Sequence, residues 1–162
     1  MLPVVVWLIA LVLFVASVFV LGQSLPDRVA THFGISGQPD DWMTRGAHLK
    51  FMLLFGAGTS TLPIVLCYLA RFFPAWTLNV PNKAYWTSPE GHPIACAYVF
   101  LHSFWFGTLM LVWFAVLHYT VVVANRATPV AMSPAAVYIV TGVMLVGLVL
   151  WIWPLYRFFR LP

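Results

Sequence analysis

Four long apolar stretches, joined by polar segments, dominate this chain of 162 residues. They lie at about residues 2–22, 51–70, 93–124 and 135–155, and the polar segments that hold most of the charged and turn-forming residues lie at about 23–50 and 72–92. Only 7% of the residues are charged and 62% are hydrophobic, whereas soluble domains carry roughly 25% charged residues. Because so few polar side chains cannot cover a water-soluble globule, we expect the lipid bilayer to surround most of the chain.

The apolar stretches are predicted to be helices. Inside a bilayer every backbone N–H and C=O must be paired within the protein, so that only helices and closed barrels can span it. Barrel strands alternate polar and apolar residues over about ten positions, whereas the apolar stretches here are continuous. Each is long enough for the ~20 residues that cross the hydrocarbon. The sequence therefore predicts an all-α, polytopic integral membrane protein whose four transmembrane helices form one bundle, with residues 1–162 as a single membrane domain.

Basic residues are divided equally between the two ends of the predicted bundle. The formal net charge of +4 favours contact with anionic lipid headgroups. Nucleic-acid binding would need a clustered basic face, and the sequence has no such cluster, so we expect no nucleic-acid partner. One end holds Arg28, Arg45, Lys50 and Arg126, and the other holds Arg71, Lys83, Arg157 and Arg160. This equal division gives no orientation from the excess of Lys and Arg that marks cytoplasmic loops.

The first polar segment carries the signals of a short helix and a turn. Pro26 suits the first helical position, Asp27 suits the positive end of the helix, and Gly34 suits a left-handed exit. A turn is expected over residues 37–40, which contain Gly, Pro and Asp. Thr44 is expected to cap the second spanning helix.

The second polar segment combines a turn with interfacial aromatic residues. Asn82 favours a turn, and Tyr85 and Trp86 have the apolar rings and polar tips that suit the headgroup region. Ser88 is a candidate N-cap for the third spanning helix. That helix could instead begin at Pro93.

Three short motifs in these segments resemble a known family. They are Leu-Pro-Asp-x-x-x-x-His-Phe at Leu25–Phe33, Gly-x-Pro-Asp at Gly37–Asp40, and Pro-Asn-Lys-x-Tyr-Trp at Pro81–Trp86. In this order they are similar to those of the small bacterial membrane proteins related to the SdpI toxin-immunity protein, which share an N-terminal domain of unknown function. The chain departs from that pattern at Ala30, where the family often has Pro, and at Ala84, where it often has an acidic residue. It also has fewer spanning helices than the larger immunity proteins.

The resemblance implies a location and a function. The location is the bacterial cytoplasmic membrane, with the first loop facing outward and both termini in the cytoplasm. The function is the binding of a peptide toxin or a related signal, without enzymatic activity, so as to protect the membrane or pass on the signal. The outward contacts would come from Asp27, His32, Gly37, Pro39, Asp40 and Trp42. A partner on the cytoplasmic side would contact Pro81, Asn82, Lys83, Tyr85 and Trp86.

Histidines and carboxylates in the first loop raise the alternative of a metal site. Imidazole and carboxylate groups bind divalent metals when a fold brings them together, and this loop holds Asp27, His32, Asp40, Asp41 and His48. Their spacing matches no ligand motif. We therefore expect a structural network in which the carboxylates cap turns, with no bound metal.

Two further histidines, His102 and His118, fall inside the third apolar stretch, where ionisable residues often mark a site. Their spacing on one helix puts them roughly 24 Å apart on nearly opposite faces, so that they cannot share a metal or a haem. Bis-histidine ligation would need a His deep in another helix, and we expect none there. Haem with a single His or Met ligand is one alternative. The other is a neutral imidazole hydrogen-bonded to a neighbouring helix, which is why we expect no cofactor.

The sequence contains no recognisable catalytic motif. A Gly-x-Ser-x-Gly elbow, a His-Glu-x-x-His pair and a phosphate-binding loop are all absent, and none of the four acidic residues lies in an apolar stretch. Cys67 and Cys96 are expected to be two buried thiols, with a disulfide as the alternative. We therefore predict a non-enzymatic protein. The alternative to peptide recognition is an accessory subunit whose small residues in the second helix pack against partner subunits.

Overall fold

The computed structural model describes residues 1–160, which form five α-helices and one β-hairpin. The elements are α1 (Leu2–Gly22), β1 (Arg28–Phe33), β2 (Pro39–Thr44), α2 (Arg45–Leu69), α3 (Lys83–Trp86), α4 (Gly91–Arg126) and α5 (Pro134–Arg160). Two short 3-10 turns, Ala70–Phe72 and Ala75–Thr77, follow α2.

Four of these helices, α1, α2, α4 and α5, are long and apolar enough to cross a membrane. The prediction of an all-α, multi-pass membrane protein with a four-helix bundle is thereby confirmed. Helix α2 begins at Arg45 rather than near residue 51, because the Thr44 side chain caps it by accepting a hydrogen bond from the Ala47 N–H at 3.2 Å. Helix α4 begins at Gly91, whose N–H donates to Ser88 Oγ at 3.0 Å. The predicted Thr44 cap is confirmed, whereas the N-cap of α4 is Glu90 and Ser88 lies two positions before it, where its side chain accepts from the first turn.

Helix α4 lies at the centre of the bundle. Helices α1 and α2 pack against one side of it and α5 packs against another. The main core cluster consists of Phe14 and Val18 from α1, Met52 from α2, and Leu111 and Phe114 from α4. Apolar side chains that point away from this core are exposed on all four spanning helices, as expected for surfaces that face lipid chains.

Two glycines allow the helices of the core to approach closely. A Cβ on Gly56 would collide with the Phe14 ring, and one on Gly107 would collide with the Ser60 carbonyl and the Trp7 ring. At the same contact Trp7 Nε1 donates a hydrogen bond to Ser60 Oγ at 2.6 Å. Small residues and interhelical hydrogen bonds are the usual means by which helices associate in lipid.

The short helix predicted after residue 26 is wrong, because β1 and β2 form an antiparallel hairpin. The register pairs Arg28 with Thr44 and Ala30 with Trp42. The turn lies over residues 34–37, where the Gly37 N–H donates to the Gly34 carbonyl at 2.8 Å. Gly37, rather than Gly34, has the left-handed φ of 77°, and the expected turn over residues 37–40 is wrong in extent because β2 begins at Pro39.

The chain order gives the bundle two distinct ends. We call the end with β1, β2 and the α4–α5 connection (residues 127–133) the hairpin end. The other end, with residues 70–90 and the last turn of α5, is called the opposite end.

Candidate functional site

The β-hairpin is fixed to the bundle through one buried amide. Asn125, near the end of α4, accepts a hydrogen bond from the Ala30 N–H at 2.8 Å and donates to the Ala30 carbonyl at 2.9 Å. Its Nδ2 also donates to the Val121 carbonyl within its own helix. At the tip of the hairpin, the Met132 N–H donates to the Gly37 carbonyl at 2.8 Å. The hairpin is therefore held at its base and at its tip.

Two of the predicted first-loop residues meet on the outer face of the hairpin. His32 Nδ1 lies 2.5 Å from Asp40 Oδ1, and these side chains are 71% and 53% exposed. Asp27 contacts the guanidinium of Arg45 at 3.2 Å. Asp27, His32 and Asp40 are all exposed, so a ligand can reach them.

The remaining predicted first-loop residues play supporting roles. The guanidinium of Arg28 lies 5.6 Å from the centre of the Trp42 ring, a distance that allows a cation–π contact. Gly37 forms the turn, and Pro39 opens strand β2. These three predicted residues, Gly37, Pro39 and Trp42, are half-buried. They contribute more to the structure of the hairpin than to its exposed surface.

An apolar groove of about 400 Å³ runs beside the hairpin tip. It separates the tip from the start of α5 and is lined by Phe33, Ile35, Met132, Pro134, Val137 and Tyr138, among others. Ile35 and Tyr138 are exposed. A concave apolar surface with nearby polar groups is the usual form of a binding site.

The hairpin is acidic although the whole chain is basic. Three of the four acidic residues, Asp27, Asp40 and Asp41, lie between residues 27 and 44, where the basic residue is Arg28. The formal charge of this segment is therefore negative, against +4 for the chain. Charge of one sign around a recess attracts partners of the opposite sign.

A buried histidine pair lies below the hairpin. His48 belongs to α2 and not to the first loop, and its Nε2 lies 3.2 Å from Nδ1 of His118 on α4. The ring centroids are 5.3 Å apart and the ring planes differ by 24°, so the two nitrogens face each other nearly in plane. Both residues are buried. The prediction that His118 would meet no histidine from another spanning helix is wrong.

The geometry of this pair fits a shared hydrogen bond rather than a metal. One ring donates its N–H to the lone pair of the other, and both rings can then be neutral. A metal held between two imidazoles needs bonds of about 2 Å to each nitrogen, more room than the gap provides. His118 Nε2 is buried and has no hydrogen-bond partner among the described residues. Among residues 1–160, no group of three or more His, Cys, Asp or Glu side chains is placed to hold a metal ion.

His102 forms a hydrogen bond with a neighbouring helix, which is one of the two alternatives predicted for it. Its Nε2 donates to the Trp151 carbonyl of α5 at 2.8 Å, and Trp151 Nε1 donates to the His102 carbonyl at 3.3 Å. The expected contact with a neighbouring helix is confirmed. Cys67 and Cys96 are both free thiols, and Cys96 Sγ lies 3.4 Å from His92 Nε2.

At the opposite end, two of the predicted second-loop residues hold the end of α5. Asn82 has a left-handed φ of 53°, and its Nδ2 donates to the Arg160 carbonyl at 2.8 Å. The buried Trp86 donates from Nε1 to the Phe159 carbonyl at 3.0 Å. The other three residues of the motif, Pro81, Lys83 and Tyr85, are exposed.

The residues that attach the hairpin, Asn125 and Met132, are not among those predicted from the sequence. Asn125 is an amide directly after a long apolar stretch, which is a signal for a buried polar contact. Met132 acts through its main chain, so its side chain gives no signal in the sequence.

Comparison with known families gives one match. The model of the domain of unknown function DUF1648 matches residues 8–56, which is less than a third of the chain. The matched segment covers most of α1, the hairpin and the first half of α2, and the motif at Pro81–Trp86 lies outside it. No curated protein and no solved structure matches the chain.

Proposed function

We propose that this protein is a non-enzymatic membrane protein of the immunity or signal-recognition type, which binds a cationic amphipathic peptide at its hairpin end. The observation that carries the proposal is the apolar groove beside an acidic hairpin. An amphipathic peptide has an apolar face for such a groove and a charged face for its rim. The carboxylates of the adjoining hairpin favour a basic peptide over an acidic one.

The attachment of the hairpin supports this role. Asn125 and the Met132 main chain hold the hairpin in place before any ligand arrives. A surface that is already ordered loses less conformational entropy on binding. The groove is therefore a pre-ordered surface that is suited to ligand binding.

The resemblance to the SdpI-related proteins supports the same function and gives the orientation. The first motif of that resemblance lies within the segment that matches the domain of unknown function. We place the protein in the bacterial cytoplasmic membrane with the hairpin outside and both termini in the cytoplasm. A peptide arriving from outside would then meet the hairpin first.

Binding to a defined peptide tests this proposal. The protein in phosphatidylcholine nanodiscs is titrated with a fluorescent Leu/Lys amphipathic peptide and with its Leu/Glu counterpart, and empty nanodiscs give the background. We expect saturable binding of the Leu/Lys peptide only. In the double variant Asp40→Asn/Asp41→Asn its affinity should fall by about two- to thirty-fold, since each exposed charge contact contributes roughly 0.2–1 kcal/mol.

Two matched variants separate the groove from the general charge of the protein. Glu90→Gln removes the acidic residue of the opposite end and should leave the affinity unchanged. Val137→Ser places a polar group in the groove and should weaken binding. Equal affinity of the Asp40/Asp41 double variant and the unchanged protein would contradict the proposal.

A second function, that of an accessory subunit in a larger membrane complex, is favoured by α5. This helix packs chiefly on α4, and none of the residues in its most apolar window is buried. Its outer surface includes Leu145, Val146, Val149, Leu150 and Ile152. Extraction in a mild detergent distinguishes the two functions, because an accessory subunit would leave the membrane together with a larger assembly.

A further inference from the structure

Two arginines on the last turn of α5 border an open recess at the opposite end of the bundle. The recess has a volume of about 420 Å³ and is lined by Trp153, Tyr156, Arg157 and Arg160. Arg157 and Arg160 are three positions apart on a helix, so their side chains leave on neighbouring faces. Both are exposed.

Neither of these two guanidinium groups forms an ion pair with a side chain of residues 1–160. Arginines near a helix end often bind its last carbonyl groups, but here Trp86 and Asn82 already donate to the carbonyls of Phe159 and Arg160. The ion pairs within residues 1–160 both belong to the hairpin end. The guanidinium of Arg160 lies 5.5 Å from the centre of the Tyr156 ring, which keeps it beside the recess.

The charge of the opposite end favours an anion. It carries Arg71, Lys83, Arg157 and Arg160 against one carboxylate, Glu90. Neither arginine of the recess has a carboxylate partner among the described residues. A guanidinium group matches the oxygens of a phosphate with two parallel hydrogen bonds.

We propose that this recess binds the phosphodiester headgroup of an anionic phospholipid. Trp153 and Tyr156 are 66% and 49% exposed and have the amphipathic rings that lie at the headgroup level of a bilayer. From Trp153 the exposed surface of α5 continues toward the bundle centre through Ile152, Leu150 and Val149. Acyl chains can follow this apolar surface, whereas a free phosphate ion has no contact to make there.

Native mass spectrometry of lipid-depleted protein in detergent tests the proposal. The protein is incubated with equal amounts of phosphatidylglycerol and phosphatidylcholine, and the bound lipids are counted. We expect a phosphatidylglycerol preference of about ten-fold or more, because basic residues at a membrane surface each attract anionic lipid appreciably. The preference should weaken as salt is raised.

Two pairs of variants with equal net charge locate the site. Arg157→Gln/Arg160→Gln should lose most of the preference, whereas Arg28→Gln/Arg126→Gln, at the hairpin end, should keep it. Circular dichroism and a thermal transition establish that each variant is folded. If a variant does not fold, the lipid preference of the unchanged protein still tests the proposal. Equal retention of both lipids, equal loss in both double variants, or full displacement of phosphatidylglycerol by inorganic phosphate would each overturn it.

Discussion

Among single residues, His48 and His118 form the most unusual polar contact of the core. The pair joins α2 to α4 inside an apolar bundle. Inside the bilayer no water is present to form a hydrogen bond with an unpaired imidazole, so each ring depends on the other for one of its hydrogen bonds. Hydrogen bonds between membrane helices contribute about 0.6 kcal/mol on average and up to about 1.7 kcal/mol.

A double-mutant cycle measures this contact. His48→Leu and His118→Leu should each lower the free energy of unfolding by about 1–3 kcal/mol, because each leaves a buried ring nitrogen unpaired. The double variant should lose less than the sum, with a coupling energy of about 0.6–1.7 kcal/mol. Unfolding in increasing sodium dodecyl sulfate gives the three values. His48→Leu combined with His102→Leu is the matched control. The losses of unfolding free energy should add in this pair, since His102 binds Trp151 and not His48. Additive losses in the His48/His118 cycle would contradict the prediction.

At this scale, the sequence predicts contacts that are local in the chain and misses those that are distant. The side chains of Thr44 and Ser88 accept hydrogen bonds from residues only three positions away, so their role follows from residue type and position. His48 finds its partner 70 positions away. From the sequence alone His48 falls in the polar segment at residues 23–50, although α2 already begins at Arg45 and includes it.

At the scale of elements, the four spanning helices were predictable and the hairpin was not. A continuous apolar stretch of sufficient length forms a helix in a bilayer, so its secondary structure does not depend on contacts with distant parts of the chain. Residues 28–33 carry no such constraint, and Pro26, Asp27 and Gly34 suit a helix equally well. The strand is selected by Asn125, which lies 95 positions from Ala30 and binds both of its main-chain groups.

The turn of the hairpin gives a prediction with a matched control. Gly37→Ala should destabilise the hairpin, because a left-handed residue with a side chain costs about 1–2 kcal/mol and the new Cβ would collide with the Met132 carbonyl. Hydrogen exchange at the Met132 amide, which donates to Gly37, should become faster. In Gly34→Ala the nearest atom is Asp40 Oδ2 at 3.5 Å, an ordinary contact, so its exchange should stay close to that of the unchanged protein. Equal acceleration in both variants would argue against the role of the Gly37 backbone.

At the scale of the whole molecule, the two ends of the bundle differ in charge and in construction. The hairpin end holds three of the four carboxylates, and one of its arginines, Arg45, is paired with Asp27. Among residues 1–160, the guanidinium groups on α5 at the opposite end have no carboxylate partner, and the one acidic side chain of that end is Glu90. An equal division of Lys and Arg between the ends leaves the positive-inside rule without a result. The unpaired arginines nevertheless suit the anionic cytoplasmic leaflet better than the acidic hairpin does.

This difference predicts the orientation of the protein, which labelling of single cysteines measures. In a Cys67→Ala/Cys96→Ala background, Gln38→Cys and Ala84→Cys place thiols at exposed positions of the hairpin end and the opposite end. In spheroplasts a membrane-impermeant maleimide should label Gln38→Cys, whereas Ala84→Cys should react only after the membrane is opened. The reverse pattern would put the hairpin and its apolar groove in the cytoplasm, where no peptide from outside could reach them. Recognition of an external peptide would then be excluded, while lipid binding at α5 would stay open to its own test, because anionic lipids also occur in the outer leaflet.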